Sequence, residues 1–230
     1  MDIRINKYIA STGFCSRRRA ETYIKEGRVK VNDEVITELG TVISREDIVK
    51  IDDRIINIEN NKVYIMFNKP KGVISTAKEQ FGRKSVLDSL KVKERVYPVG
   101  RLDMDSEGLI LLTNDGDFLN NVIHPTKHIS KTYVVELKNK IEDEAISKLE
   151  DGVDIGGYTT KPCIIEKMSN KKIKLTIFEG KNRQIRRMIE CVNNKVVSLK
   201  RISIGKLELN DLKSGDYIFL DDSDIEKVFE

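Results

Sequence analysis

The spacing of apolar residues along the chain changes repeatedly between a helical and a strand period. Ile5, Tyr8 and Ile9 recur at helical spacing, which predicts a first short helix. A second helix is predicted to begin after Ser16, a favourable N-cap, and to stop at Gly27. Short strand-like segments follow as far as residue 58. The first 60 residues are therefore predicted to form a small unit of helices and strands.

A polar linker at residues 57–62 separates this unit from a longer region with mixed patterns. The predicted strands of that region lie at 63–67, 96–99, 109–112, 131–137, 162–166 and 173–178, and the predicted helices at 85–90, 118–123, 141–149 and 183–192. The last of these helices has the clearest apolar stripe, and Asn182 is its predicted N-cap. Together the patterns predict an α+β protein with two domains, residues 1–60 and 61–230.

Composition indicates a soluble globular chain, with 39% hydrophobic and 34% charged residues. Apolar runs are too short to span a membrane, and the N-terminal segment lacks the apolar core of a signal peptide. Three scattered cysteines, Cys15, Cys163 and Cys191, fit ordinary thiols in a reducing compartment. We therefore expect a cytoplasmic monomer without a membrane partner.

The net charge of +4 conceals a strong asymmetry along the chain. Residues 1–30 carry eight Lys/Arg and three acids, and residues 181–206 carry eight Lys/Arg and one acid. Residues 31–60 and 207–230 are acidic, with net charges of −5 and −6. Two concentrated basic segments in a nearly neutral chain predict two contact surfaces for a polyanion such as RNA.

Three carboxylates cluster between Gly100 and Gly108: Asp103, Asp105 and Glu107. The apolar run that follows predicts a buried strand, so these carboxylates lie on a loop that leads into a sheet. Two interpretations remain open, a solvated acidic turn and a single catalytic carboxylate positioned by the loop. Calcium is excluded, because an EF-hand needs a glutamate at loop position twelve and flanking helices, whereas an asparagine and a strand stand there.

Motifs for other chemistries are missing from the sequence. It contains no Walker loop, no dinucleotide fingerprint and no Ser/His/Asp pattern. His124 and His128 have the spacing of a helical metal pair, but Pro125 lies between them and no third ligand stands out. A metal site is therefore not expected, and the residues alone do not name a reaction.

The first basic segment resembles a known RNA-binding module. IRINKYIASTGFCSRRRAETYIKEGRVKVND, residues 3–33, is similar to the S-four domain shared with a small-subunit ribosomal protein. The resemblance implies that basic residues on this domain face structured RNA, namely Arg4, Lys7, Arg17, Arg18 and Arg28.

Four motifs in the longer region resemble, in order, those of bacterial ribosomal-RNA pseudouridine synthases. They are NKPKG (68–72), VGRLDMDSEGLILLTNDGD (99–117), KTYVVEL (131–137) and EGKNRQIRRM (179–188). The similarity is to the branch whose members carry an N-terminal S-four domain. It implies a catalytic domain built on a mainly antiparallel mixed sheet flanked by helices.

The resemblance implies a catalytic role for three residues. Asp103 matches the essential aspartate, Tyr133 the active-site tyrosine and Arg186 the arginine that pairs with the aspartate. Asp105 and Glu107 are then capping or solvated groups. From the strand pattern alone, Tyr133 is simply a half-buried strand tyrosine.

Basic residues within these motifs are further candidates for RNA contacts: Lys69, Arg101, Lys181 and Arg183. The backbone at Gly180–Lys181 also precedes a helix, a place where amides can approach an anion. Lys69 and Lys71 fit equally well as surface charges and as phosphate contacts.

The implied reaction is the isomerisation of uridine to pseudouridine in ribosomal RNA, without cofactor or metal. Covalent addition by Asp103 and removal of a sugar proton by Asp103 both stay open. NRQIRRM and the Ser-Arg-Arg run favour 23S over 16S rRNA, with free rRNA or an assembling subunit as partner. The alternative is an RNA-binding assembly factor that has kept the fold without the activity.

Overall fold

The computed structural model describes residues 2–44, 46–58, 61–76 and 82–230. The chain divides into two compact units. The first comprises Met1–Lys62, Lys93–Arg95 and Asn114–Gly116, and the second comprises Val63–Val92, Val96–Thr113 and Asp117–Glu230. Two short segments of the predicted second domain therefore belong to the first unit. Among the described residues, no helix has the length and apolarity that crossing a bilayer requires.

In its described residues, the first unit contains two helices and six short strands. The helices are α1 (Ile5–Ser11) and α2 (Arg17–Lys25), and the strands are β1 (Ile3–Arg4), β2 (Val29–Val31), β3 (Glu34–Ile36), β4 (Val42–Ile43), β5 (Val49–Ile51) and β6 (Arg54–Ile55). Four strands form one antiparallel sheet in the order β3-β2-β5-β6, and β1 pairs with β4. The predicted N-cap of α2 is confirmed, since Ser16 Oγ accepts the N–H of Arg19 at 3.3 Å.

The apolar stripes of both helices form the core of this unit with the sheet. Ile5, Ile9 and Ile24 have no exposed surface, and they share one cluster with Val29 and Ile51 of the sheet. The helical spacing of the sequence thus identified the buried face, and it leaves the arginines at the start of α2 on the outside.

The second unit is built on one large sheet. Its strands are β7 (Tyr64–Lys69), β8 (Tyr97–Val99), β9 (Glu107–Thr113), β10 (Lys131–Leu137), β11 (Ile164–Ser169), β12 (Lys172–Ile177), β13 (Val196–Ile204), β14 (Leu207–Glu208) and β15 (Tyr217–Phe219). Its helices are α3 (Gly116–Ile123), α4 (Asp143–Asp151), α5 (Gln184–Glu190) and α6 (Asp222–Lys227), with 3₁₀ turns at Val86–Ser89 and Pro125–Lys127. The α+β class and the mixed sheet are confirmed.

The strand order is β11-β12-β10-β13-β9-β7-β15, with β14 on β13 and β8 on β9. Within the described sheet, β13 and β9 pair in parallel and the other strand pairs are antiparallel. The parallel register sets Gly108 opposite Arg201, and a Cβ on Gly108 would lie 2.2 Å from the carbonyl oxygen of Arg201. Only glycine, which has no Cβ, permits this approach. The φ of +105° at Gly108 is a second reason for glycine, because residues with a side chain rarely adopt it.

Apolar side chains cover both faces of β9, which explains its continuous apolar run. Ile110 and Leu112 belong to one core cluster, whereas Leu109 and Leu111 belong to the cluster on the opposite face. The strand is therefore a rigid support for the loop that precedes it.

Two predictions at the C-terminal half differ from the structure. Helix α5 is capped by Arg183 in the left-handed conformation (φ 49°) and has no side-chain cap, so Asn182 is not the N-cap. The sequence patterns predict no element after residue 192, yet this region contains β13, β14, β15 and α6. Charged residues interrupt the apolar pattern of β13, which hid it from a search for simple alternation.

Candidate active site

The loop from Gly100 to Ser106 carries two of the three clustered carboxylates and is held by backbone contacts. Gly72 N–H donates to Met104 O at 2.7 Å, and Ser106 N–H donates to Asp103 O at 3.0 Å. The buried Ser75 hydroxyl donates to Leu102 O at 2.8 Å and accepts Leu102 N–H at 3.1 Å. These contacts fix the backbone on both sides of Asp103.

The three carboxylates have different surroundings. Asp103 is partly buried, and within the described ranges its carboxylate accepts no hydrogen bond. Asp105 is more exposed and pairs with arginine, whereas Glu107 already belongs to β9. Of the two loop carboxylates, Asp103 is therefore the less engaged, with one ion pair at 3.7 Å against two shorter ones at Asp105.

Arg186 holds this loop from α5. Its Nη2 lies 3.1 Å from Asp105 Oδ2 and donates to Asp105 O at 3.2 Å and to Ser106 Oγ at 3.3 Å. The expected pair of Arg186 with Asp103 is thus replaced by a pair with Asp105, because the buried guanidinium reaches the loop two residues further on. The cation nearest Asp103 is Arg183, with 3.7 Å between Nη1 and Oδ2.

Asp103 and Tyr133 line the same cavity, which has a volume of about 380 Å³. Tyr133 is 7% exposed and points into the unit from β10, as the alternation of that strand predicted. Three predicted RNA contacts also line this cavity and are exposed: Arg101, Lys181 and Arg183. Residues from three of the four motifs therefore line one cavity, and the fourth motif, NKPKG, contacts the acidic loop through Gly72.

Lys69 is not at the surface. It has no exposed area, and its Nζ donates to Val73 O at 2.8 Å and to Pro70 O at 3.0 Å. Burial lowers the pKa of Lys69 to about 8, although Asp105, Asp103 and Glu107 raise it in part. Its prediction as an RNA contact is wrong, because the side chain faces the core and fixes the turn of NKPKG.

One rim of the cavity is a network around Glu179. This carboxylate accepts the Lys161 N–H at 3.0 Å, the Gln184 side-chain amide at 2.7 Å and the hydroxyl of Tyr158. The bond to Glu179 raises the pKa of Tyr158. Lys181 Nζ lies 4.3 Å from the centre of the Tyr158 ring, a cation–π contact at the mouth of the cavity.

Most of the predicted RNA contacts of the first unit are exposed on the surface of that unit. Arg4, Arg17 and Arg18 are exposed, and Lys7 is half-buried. Arg28 is already paired, with Nε donating to Asp52 Oδ1 at 2.8 Å and Nη1 lying 3.2 Å from a Glu26 oxygen. These bonds raise the pKa of Arg28 and reduce its availability to a phosphate.

Three residues of the site were missed by sequence reasoning. Ser75 shows no signal, since a lone serine after a strand is ordinary. Lys131 and Arg201 line the cavity and are buried or nearly so. Arg201 had a weak signal, a charge in period-two register with Leu199 and Ser203, which are both buried.

Known proteins resemble the chain over both units. The model of the RNA pseudouridylate synthase family matches residues 63–191, and the S4 domain model matches residues 3–49. Ribosomal large subunit pseudouridine synthase B of Bacillus subtilis (strain 168) is 44% identical over 221 residues, covering 93% of this chain and 90% of the relative. Dual-specificity RNA pseudouridine synthase RluF of Escherichia coli (strain K12) is 36% identical over 230 residues, covering 99% of this chain and 79% of the relative.

A solved structure gives the same result for the fold. A crystal structure of a pseudouridylate synthase superposes with a TM-score of 0.73 at 31% identity, covering 98% of this chain and 99% of that one. Taken with the four motifs and the cavity that three of them line, these similarities show that the chain belongs to the RNA pseudouridylate synthase family and carries an S4 domain.

Proposed function

We propose that this enzyme isomerises a specific uridine of large-subunit ribosomal RNA to pseudouridine, with Asp103 as the reacting carboxylate. Tyr133 forms the wall on which the flipped uracil stacks, and Arg186 positions the loop that carries Asp103. The exposed arginines of the S4 domain bind the RNA outside the site. The protein acts as a monomer in the cytoplasm, on rRNA or an assembling subunit, and uses no cofactor.

The observation that carries this assignment is the position of Asp103. It is one of two carboxylates that line the cavity, and the other, Glu179, is engaged by three donors. Asp105 and Glu107 are not among the residues of the wall, and Asp105 is occupied by Arg186. Asp103 therefore has access to the cavity, and among the described residues its carboxylate is held by a single long ion pair, 3.7 Å to Arg183.

The cavity suits a base taken out of its helix. Tyr133 offers an aromatic ring, and Leu102, Ile185 and Leu199 add apolar surface. An enzyme that works on a base unstacks it and reads it in a closed pocket, where stacking on an aromatic side chain replaces stacking in the RNA. Retaining the detached uracil until it reattaches requires such a pocket.

The chemistry is a rearrangement within one nucleotide. Asp103 acts at the sugar, the N1–C1′ bond breaks, the uracil turns and C5 bonds to C1′. The C5 proton is lost and N1 gains a proton, so the composition of the RNA is unchanged. Addition of the carboxylate to C1′ and removal of the 2′ proton both begin at Asp103 and share these later steps.

The choice of the large subunit rests on similarity. The Bacillus subtilis relative is named for the ribosomal large subunit and is the more similar of the two described above. The basic segments of the sequence fit the same class of substrate, a structured polyanion.

Tritium release from RNA containing 5-tritiated uridine tests the proposal. The purified enzyme is expected to release tritium from 23S transcripts or immature large subunits, and not from 16S transcripts. Asp103→Asn is expected to abolish release with little change in RNA affinity. Glu107→Gln, a matched change in the same acidic segment away from the wall, is expected to retain release.

Two results would overturn parts of the proposal. Release by Asp103→Asn at a rate comparable to the wild type would remove Asp103 from the reaction. Release from 16S RNA alone would overturn the choice of subunit.

A further inference from the structure

One buried and one half-buried cation, Arg201 and Lys131, line the cavity without an acidic partner among the described residues. Arg201 is 4% exposed, and Lys131 is half-buried two residues before Tyr133 on β10. Within the described ranges, neither residue forms an ion pair with Asp or Glu. Arginines and lysines are seldom buried without a counter-charge, because the loss of hydration is expensive.

Only some of the hydrogen-bond donors of the Arg201 guanidinium have an acceptor within the described protein. Its Nε donates to Leu109 O at 2.6 Å, which fixes the side chain to β9. Its Nη1 lies 3.5 Å from the hydroxyl of Tyr133, a long contact. Its Nη2 is buried and has no acceptor among the described residues. A buried donor that is left unpaired beside a cavity requires an explanation, and an acceptor that arrives with the ligand would supply one.

Lys131 adds a second charge beside Arg201. Its Nζ donates to Ile129 O at 2.7 Å, so two of its three donors remain. Burial first, and then the charge of Arg201, lower the pKa of Lys131 to about 8. Six lysines and arginines line the cavity against two acids, so its interior favours negative charge.

Tyr133 connects these cations to the base that the cavity would hold. Tyr133 and Arg201 are cross-strand neighbours on β10 and β13, and the guanidinium carbon lies 6.0 Å from the centre of the tyrosine ring. A uracil stacked on Tyr133 would therefore lie close to the Arg201 guanidinium.

We infer that Arg201, supported by Lys131, is a catalytic residue that stabilises the negative charge of the detached uracil. This inference rests on the proposed function. When the N1–C1′ bond breaks, both electrons stay with N1, and the charge spreads to O2 and O4. C5 then bonds to C1′, the C5 proton leaves and N1 takes up a proton. The charge develops on the base whether Asp103 adds to C1′ or removes the 2′ proton.

A role of this kind predicts a larger effect on the chemical step than on RNA binding. Preorganised donors that meet developing charge in a closed site are each worth about 10²- to 10³-fold in rate. Arg201→Met keeps the length and apolar stem of the side chain and removes the charge. Lys200→Met, one residue earlier on the same strand and not in the cavity wall, is the matched control.

The experiment compares two substrates in single turnovers of the full-length enzyme. One is an rRNA transcript with uridine, and the other has 5-fluorouridine, whose fluorine stabilises the uracil anion. Loss of the parent nucleoside is measured after digestion. Arg201→Met is expected to be slower by about 10²-fold on uridine but clearly less impaired on 5-fluorouridine. RNA affinity should stay within about threefold, since phosphate contacts dominate it.

Other outcomes overturn the inference in separate ways. An equal loss on both substrates would make Arg201 a structural residue that only joins β13 to β9. A loss confined to RNA affinity would assign the two cations to a phosphate. If Arg201→Met does not fold, Lys131→Met is compared on the same two substrates. Its rate should again fall more on uridine than on 5-fluorouridine, and an equal fall on both would overturn the inference. An inactive wild type would overturn the proposed function itself.

Discussion

The side chain of Ser75 and the backbone of Leu102 exchange two hydrogen bonds, of 2.8 and 3.1 Å, in the buried wall behind the acidic loop. Leu102 immediately precedes Asp103, so one hydroxyl satisfies both backbone groups next to the carboxylate that we propose to react. A residue with no charge and no motif thus fixes the position of the central group of the site.

Replacing Ser75 by alanine is expected to lower kcat while leaving RNA affinity unchanged. The change leaves two buried backbone groups without a partner, which costs about 1–3 kcal/mol, and it frees the loop to shift. A shift of the carboxylate by a fraction of an ångström reduces the rate of a positioned reaction. Tritium release and filter binding measure the two quantities. Ser89→Ala, an exposed serine, is the control, and equal kcat in both variants would remove Ser75 from this role.

Gly108→Ala is expected to lower the melting temperature more than any other glycine substitution in the loop region. The new Cβ would meet the backbone of Arg201 at 2.2 Å, and the residue has a φ of +105°. Separation of β9 from β13 should cost at least about 3 kcal/mol. Calorimetry measures the change, and Gly116→Ala, which meets nothing within 4 Å, should be close to neutral. If Gly108→Ala lowers the melting temperature only slightly, β9 and β13 can separate at this point without loss of stability.

Lys69 should make the stability of the protein rise with pH in the alkaline range. Its pKa is lowered to about 8 in the fold from an ordinary value of 10.5, so the unfolded chain binds more protons between these values. The contribution is fully present above the unfolded pKa and is lost as the pH falls through about 8. Relative to Lys69→Met, the wild type should gain about 2 kcal/mol between pH 7.5 and 10.

Urea titrations at several pH values give this difference. Lys131, which has a lowered pKa in the same range, is present in both proteins and cancels. A constant difference between the two proteins would show that Lys69 titrates normally in the fold.

Arg17 and Arg18 are expected to set the salt dependence of RNA binding. Both are exposed at the start of α2, where the helix dipole disfavours positive charge and a phosphate would compensate it. Replacing both by alanine should reduce the slope of log K against log salt by roughly 1–2. The double change Lys30→Met and Lys50→Met removes the same charge from side chains already paired with Asp53 and Asp33. If both double variants reduce the slope of log K against log salt equally, the slope depends on the net charge of the protein and not on phosphate contacts of Arg17 and Arg18.

Local rules predicted the parts of the protein that local physics determines. Ser16 caps α2, and the alternation around Tyr133 correctly identified the buried face of β10. Lys69 and Asn182 were assigned wrongly, because the core burial of one and the left-handed backbone beside the other arise from tertiary packing. Arg201 was not predicted as a site residue, because its position in the cavity wall depends on a strand pairing with Gly108, which lies outside any local window of sequence.

The parallel pairing of Gly108 with Arg201 also has a consequence for the order in which the site is made during synthesis. The loop that carries Asp103 leaves the ribosome nearly a hundred residues before its partner strand β13. Contacts of such long sequence separation form late, because a large loop of chain must close first. The cavity is therefore expected to be among the last features of the second unit to form. Until β13 has docked, the nascent enzyme has an exposed carboxylate but no pocket in which to use it.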